Sequence, residues 1–471
     1  MNKTLKYPPI SLKILAVFAI IGGLAFAPFN QPFVLLLSIW VLLLHLQAPL
    51  TFYHFFRNSF IFFFIFFLTQ LYWVSWALKT YGIPEMMPIG LIGMPIIIGI
   101  FPAAFIAPSF FFRKNPVSFG WVFFLGWCIS EVARSFLFTG FPWNLNGYVW
   151  DLPLLQSTRI IGIFGLSFLT TAAGTVLYTK QKWLGASIFS ILLGLWIEGH
   201  HRLNSPHINT NVCLRLVQPS IAQHEKWDPN FFEHNLAILE ILSKAEAERP
   251  IHLTIWPEAA IITPLESYPD LAVHIGRFIN QGYLITGAPR RLHNPEKAFS
   301  SLQVLEKTGR ILATFDKFHL VPFGEYVPLK QLNPFPKLTD GFLDYSPGPG
   351  PRTIHPENIP PFSPLICYEA IFSGAVIDPD HRPEWLLNIT NDAWYGVTSG
   401  PYQHLKIVQV RAIEEGLPLI RVANNGISAV IDAYGRIIHQ LELNKIGFID
   451  AYLPASLPQT IYRKFVNFIS N

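Results

Sequence analysis

The sequence predicts a polytopic α-helical membrane domain followed by an α/β globular domain. Two observations carry this. Of 471 residues, 51% are hydrophobic and only 14% are charged, whereas soluble domains carry roughly 25% charged residues. The composition also changes along the chain. Residues 1 to about 200 are rich in Phe, Leu, Ile and Trp, and from about 208 onward charges and short Pro-flanked strands appear. The stretch EGHHRLNSPHINTN (198–211) marks the boundary, dividing a membrane domain (1–200), a globular domain (208–457) and a short tail (458–471).

The first part contains seven apolar segments, at about 10–29, 32–48, 58–78, 87–112, 117–138, 153–178 and 182–199. Most approach the roughly 20 residues that cross a hydrocarbon core as a helix, the second and seventh least well. Lys3, Lys6 and Lys13 precede the first segment as they would in a cleavable signal peptide, but six further apolar segments favour a multi-span protein. Lys3, Lys6, Lys13, Arg57, Arg113, Lys114, Lys180 and Lys182 all fall on one side of these spans. Only Lys79 lies on the other, with Arg134 and Arg159 inside spans. The cationic side is cytoplasmic by the positive-inside rule, so an odd number of spans puts the globular domain outside. Glu131 and Arg134 stand at i, i+3 within the fifth segment. They read as a structural ion pair first and as a functional pair second. TGFPWNLNGY (139–148) follows, mixing aromatics with turn formers as an interfacial loop, a lipid-entry site or an aromatic belt would.

The second part alternates strands and helices. VCLRLVQ (212–218), YLITGAP (283–289), SSLQVLE (300–306), SPLICYE (363–369) and EWLLNITND (384–392) read as strands, and IHLTIWPEAA (251–260) as a strand running into a Pro-Glu turn. So do PLIRVANNG (418–426), SAVIDAYGR (428–436) and GFIDAYL (447–453), while 230–248 and 400–416 have helical periodicity. Such alternation predicts a layered α/β sandwich.

Three polar residues fall just beyond apolar strands: Glu258, Lys317 and Cys367. Singly, each has a plain reading, as a turn carboxylate, a surface lysine and a buried packing cysteine. Together they supply acyl transfer through a thiol. A cysteine is a strong nucleophile as its thiolate. A partly desolvated glutamate accepts and returns a proton. A lysine ammonium and the N–H after the nucleophile, that of Tyr368, can hold an oxyanion. Cys128 and Cys213 read as packing residues, and the three cysteines form neither a disulfide framework nor a CxxC site. A net charge of +4 without a dense Lys/Arg stripe argues against a nucleic-acid partner.

A Glu in a W-P-E turn, a Lys in DKFHLVPFGEYVP and a Cys in ICYE, in that order, resemble the nitrilase (carbon–nitrogen hydrolase) superfamily. The multi-span front half, with TGFPWNLNGY, VQPSIAQHEKW, HLVPFGEYVP and NITNDAWYGVTSGPYQHL, resembles its membrane-bound branch, the apolipoprotein N-acyltransferase family. The resemblance implies an αββα sandwich and a Glu258–Lys317–Cys367 triad. Glu325, Glu369, Tyr368, Trp227 and Asn391 are then supporting residues, with the NNG of 424–426 bordering the site. It further implies a thioester intermediate, and a phospholipid acyl donor, usually phosphatidylethanolamine. The acceptor is a diacylglyceryl-cysteine lipoprotein, and the reaction takes place at the outer face of a bacterial inner membrane. No metal or cofactor is required, and a monomer is expected.

Family members usually end in a further span, whereas LPQTIYRKFVNFISN (457–471) is too short for one. Three rival readings are a membrane-tethered amidohydrolase using water as acceptor, a polytopic transporter with an outer binding domain, and a catalytically dead scaffold, which the filled triad positions disfavour. The transporter gives the Glu–Lys–Cys set no role.

Overall fold

The computed structural model describes residues 10–80, 82–328 and 344–470, and the chain divides into two compact units. One runs to Trp76 and from Glu85 to Asn204. The other runs from Ser205 onward and includes the stretch Ala77–Pro84.

The first unit is helical: α1 (Leu12–Gly23), α2 (Pro32–Leu46), α3 (Phe52–Leu71), α4 (Val74–Thr80, which enters the second unit at Ala77), α5 (Met87–Ile106), α6 (Pro116–Phe136), α7 (Leu152–Leu155), α8 (Thr158–Thr179) and α9 (Lys182–Leu203). Among the described residues five stretches are long and apolar enough to cross a membrane: Phe52–Leu71, Pro84–Phe112, Pro116–Thr139, Thr158–Thr179 and Lys182–Leu203. The two leading segments give shorter helices. With 12 and 15 residues, α1 and α2 extend about 18 and 23 Å, short of a core about 30 Å thick. In α1 the chain stops at a Gly pair wedged against its neighbours. A Cβ on Gly22 would meet Ser38 Oγ at 2.7 Å, and one on Gly23 would meet Thr69 Oγ1 at 1.8 Å. The segment read as 58–78 begins earlier, at Phe52, where Thr51 caps the helix by accepting from the His54 N–H at 3.3 Å. The seventh segment, which looked weak, is a full 22-residue helix.

Glu131 and Arg134 are both buried in α6 and stand 4.0 Å apart. Arg134 donates to the carbonyls of Phe141 (2.9 Å), Trp143 (2.7 Å) and Asn144 (3.2 Å), while Glu131 accepts from the Asn146 N–H at 2.9 Å. The pair ties down the loop 139–148, whose backbone groups would otherwise be buried without partners.

The second unit has two sheets. In order, β11 (Gly447–Pro454), β1 (Asn209–Gln218), β2 (Leu253–Ile255), β3 (Tyr283–His293), β4 (Glu296–Glu306) and β5 (Ile311–Asp316) form the first. The second runs β10 (Ile437–Leu441), β9 (Ser428–Ile431), β8 (Leu419–Ala423), β7 (Trp385–Thr390) and β6 (Phe362–Ile366). Within them β1–β2–β3 and β6–β7–β8 are parallel.

Leu214, Leu216, Leu253, Ile255 and Ile285 of the first sheet pack against Phe362, Ile366, Leu387, Ile389 and Val422 of the second. Alternate residues face outward, as strand geometry requires. Val217, Trp256 and Leu284 meet Leu236 and Leu239 of α11 (Phe232–Lys244; the one-turn α10 is Gln223–Lys226) and Ile275 of α12 (Pro269–Gly276). On the other side Leu365, Leu386 and Leu419 meet Val408 and Ala412 of α13 (Gly400–Glu415). The result is the four-layered αββα sandwich. Burial on both faces explains why the central strands read as continuous apolar runs.

The sequence reading did not resolve β5, β10 or α12; the strand it ran from 251 into the Pro-Glu turn is β2, three residues long. In the tail, α14 (Ile461–Ser470) docks on α13. Arg463 pairs with Glu415, and the Tyr462 hydroxyl shares a 2.6 Å hydrogen bond with Ser373.

Candidate active site

Five strands of the two sheets deliver polar residues at their carboxyl ends. Glu258 follows β2, Lys317 follows β5, Cys367 follows β6, Asn391 follows β7 and Asn424 follows β8. Parallel strands with aligned ends make such an edge a natural site.

Cys367 opens a 3₁₀ turn (Cys367–Ile371) and has φ +52°. This left-handed conformation costs an L-residue roughly 1–2 kcal/mol. Strain of this kind persists where the surroundings fix it. Here the fixing group is Glu369, which is fully buried. One carboxylate oxygen accepts from the Ile366 N–H at 2.7 Å, just before the cysteine. The other accepts from Phe318 (2.6 Å) and His319 (3.2 Å), just after the lysine. The Asn388 side chain donates to the carbonyls of Leu365 (3.1 Å) and Cys367 (3.4 Å), and accepts from Arg421. Arg421 also donates to Asp392 at 2.6 Å, and His404 meets the same carboxylate at 3.3 Å.

Glu258 is held on three sides. Lys317 Nζ donates to its Oε1 at 3.3 Å, the Asn391 N–H to its Oε2 at 2.8 Å, and Lys226 Nζ to its backbone carbonyl at 2.8 Å. The Asn391 side chain donates to Gln223 Oε1 (2.9 Å) and accepts from Asn424 (3.1 Å). Gly287 of β3 is needed for this turn to pass. A Cβ there would stand 2.5 Å from the Ala259 nitrogen and 2.7 Å from the Glu258 Cα. Lys317, 1% exposed, also donates to Glu325 at 2.7 Å, and Glu325 accepts from the Val321 N–H at 2.8 Å.

The electrostatics follow from burial and these pairings. Burial pushes the Cys367 thiol up to about 12, and Glu258 adds to the rise while Lys317 opposes it. Burial alone would depress the Lys317 ammonium, but Glu325 and Glu258 outweigh it and hold the group well above its ordinary range. Glu325 is raised by burial, against the pull of Lys317. Glu369 is pushed up to about 8 by burial, against three N–H donors. Burial works against ionisation of Asp392 too, but Arg421 and His404 prevail and hold it below the usual carboxylate range.

The structure thus brings Glu258, Lys317, Cys367, Glu325, Glu369, Tyr368 and Asn391 together. Trp227 directly follows Lys226, yet no hydrogen bond or ring contact among the described residues ties its indole to the three central side chains. Among the described residues no cluster of His, Cys, Asp and Glu could hold a metal.

Residues 18–176 match the profile of the apolipoprotein N-acyltransferase N-terminal domain, and residues 213–462 match that of the carbon-nitrogen hydrolases. The chain is 41% identical over 480 residues to an apolipoprotein N-acyltransferase of Rickettsia bellii, covering 98% of this chain and 94% of that one. It is 41% identical over 421 residues to the Rickettsia prowazekii protein of the same name, covering 85% and 84%. A third, from Rhodopseudomonas palustris, is 36% identical over 433 residues, covering 85% and 80%. The chain belongs to the apolipoprotein N-acyltransferase family.

For an N-acyltransferase of this family, the sequence reading found the three central residues but missed much of what holds them. Lys226 and Gln223 lie in the VQPSIAQHEKW stretch, where only Trp227 drew attention. The Asp392–Arg421–His404 cluster was also missed. An Asp and a His twelve positions apart carry no local signal of pairing, and Arg421 reads simply as a strand residue.

Proposed function

We propose that the protein moves an acyl chain from a phospholipid to the N-terminal amine of a diacylglyceryl-cysteine lipoprotein, with Cys367 as the acylated nucleophile. The supporting observation is a buried thiol on a strained turn, within the electrostatic reach of the Glu258–Lys317 pair. Glu258 takes the thiol proton as Cys367 Sγ attacks the ester carbonyl of the sn-1 chain. Lys317 has three protons. Glu325 and Glu258 engage two of them, leaving one for the developing oxyanion beside the Tyr368 N–H. The C–O bond then breaks, the glycerol oxygen takes the proton back from Glu258, and a lysophospholipid leaves.

In the second half the lipoprotein amine attacks the thioester and Glu258 takes its proton. The C–N bond forms, the C–S bond breaks, and the thiolate is reprotonated. Two half-reactions through one covalent intermediate give ping-pong kinetics. Phosphatidylethanolamine is the donor we favour. A single chain carries every residue named, so we read the protein as a working monomer.

We also read the second unit as lying on the periplasmic side of the inner membrane. The two short leading helices leave that reading unchanged. Five and seven are both odd, and a hairpin that fails to cross returns Arg57 to the side where it began.

The test uses detergent-solubilised protein and phosphatidylethanolamine labelled in the sn-1 chain. The parent should gain a hydroxylamine-labile label that Cys367→Ala lacks, and a diacylated lipopeptide should discharge it onto its amine. Discharge to water alone would replace the transferase with a hydrolase.

A further inference from the structure

Lys226 is almost fully buried (4% exposed) at the end of α10. Among the described residues its one hydrogen bond goes to a neutral group, the Glu258 carbonyl, and no carboxylate lies within ion-pair distance. A buried ammonium in that position is costly unless nearby charge compensates it. Burial lowers the Lys226 ammonium to about 8, and Glu258 and the Cys367 sulfur pull against that shift, so at pH 7 the group keeps its charge.

The charge count around the thiol shows why a second cation matters. Lys317 is shared by two carboxylates, Glu258 and Glu325. That trio alone carries one surplus negative charge in a buried space, which opposes both a thiolate and an oxyanion. Asp392 also faces the sulfur, but Arg421 balances it. The remaining titratable groups facing Cys367 are the hydroxyls of Tyr368 and Tyr395, both pushed up by burial and so neutral, with His404 on the far side of Asp392. Lys226 supplies the missing positive charge.

We propose that Lys226 is a positioning residue and the second cation of the site. It neutralises the surplus carboxylate charge beside Cys367, and through the Glu258 carbonyl it fixes the turn that aims the Glu258 side chain. The inference rests on Cys367 being the acylated nucleophile.

The experiment compares the full-length parent with Lys226→Met, Lys226→Gln and Lys226→Arg in detergent. Iodoacetamide labelling of the Cys367 peptide is followed from pH 7 to 10, alongside acyl loading from labelled phosphatidylethanolamine. Loss of the charge should raise the thiol by about one unit, so Lys226→Met alkylates about tenfold more slowly near pH 7, and the difference narrows above about 8, where Lys226 itself gives up its proton. Acyl loading should slow at least as much. Lys226→Gln keeps a donor for the carbonyl and should show the same alkylation shift, which also covers a Met variant that fails to fold. Lys226→Arg should restore the parental profile. A folded Met or Gln variant with the parental alkylation profile overturns the proposal, as does an Arg variant that restores nothing. A parent that loads no acyl group on Cys367 refutes the nucleophile assignment instead, and the alkylation comparison remains readable.

Discussion

A thiol pushed up to about 12 is a poor nucleophile at rest, so the proposed mechanism requires Cys367 to be activated by its neighbours when substrate arrives. The shift is upward from an ordinary value near 9, so the folded protein has less thiolate than the unfolded chain at every pH below that range. Iodoacetamide labelling of Cys367 in the folded protein should climb about tenfold per pH unit from 7 to 10 without levelling off. In denaturant it should level off near 9. A plateau below pH 9 in the folded protein would contradict the assigned environment.

Glu369 makes a second case at this scale. Its two oxygens serve three backbone N–H groups on both sides of the site. In Glu369→Gln one of those N–H groups would face an amide NH₂. Stability should fall by about 1–3 kcal/mol, and acyl loading by about a hundredfold through misplacement of Cys367. Thermal melts and labelled-lipid loading check the two together; loading at the parental rate would remove the clamp from the account. Cys367 and Glu258 were legible because each follows an apolar strand, Lys317 because of its DKFHLVPFGEYVP motif, and the three together belong to a known chemistry. The clamp was not, because the backbone donors that Glu369 serves around Lys317 are some fifty residues away in sequence.

Among the elements, the strand edges do the positioning. Gly287 of β3 lets the Glu258 turn pass at backbone contact distance, and Gly287→Ala would push a methyl group into the Ala259 nitrogen. We expect a folded protein with acyl loading reduced at least about tenfold, since an ångström of misplacement costs on that order or more. A variant loading at the parental rate would show that the turn tolerates the shift. The fold class and most strands could be read from apolar runs between Pro and Gly. Exact lengths could not, because only three residues of the apolar run before the Pro-Glu turn pair as β2, and β5 (ILATFD) is too short and mixed to stand out. In the membrane unit, apolar content located the long helices but ran α3 into α4 and α7 into α8. It did not reveal that α1 ends at Gly23, nor that Gly22 and Gly23 sit against Ser38 and Thr69 of other helices.

At the scale of the whole molecule, the distribution of Lys and Arg assigns a side to each loop. A single-cysteine reporter placed at Lys180 should resist a membrane-impermeant thiol reagent added to intact spheroplasts, whereas one at exposed Lys307 should react. The reverse pattern would place the second unit in the cytoplasm. The αββα sandwich and the helical unit together fit a reaction in which donor and acceptor are both lipid-anchored.

The most direct test of the central claim is the intact mass of the protein after incubation with phosphatidylethanolamine and no acceptor. The account predicts a mass increase of one acyl chain, located on the Cys367 peptide, removed by hydroxylamine and lost on addition of a diacylated lipopeptide. An adduct on any other residue, or one that persists in Cys367→Ala, would contradict it.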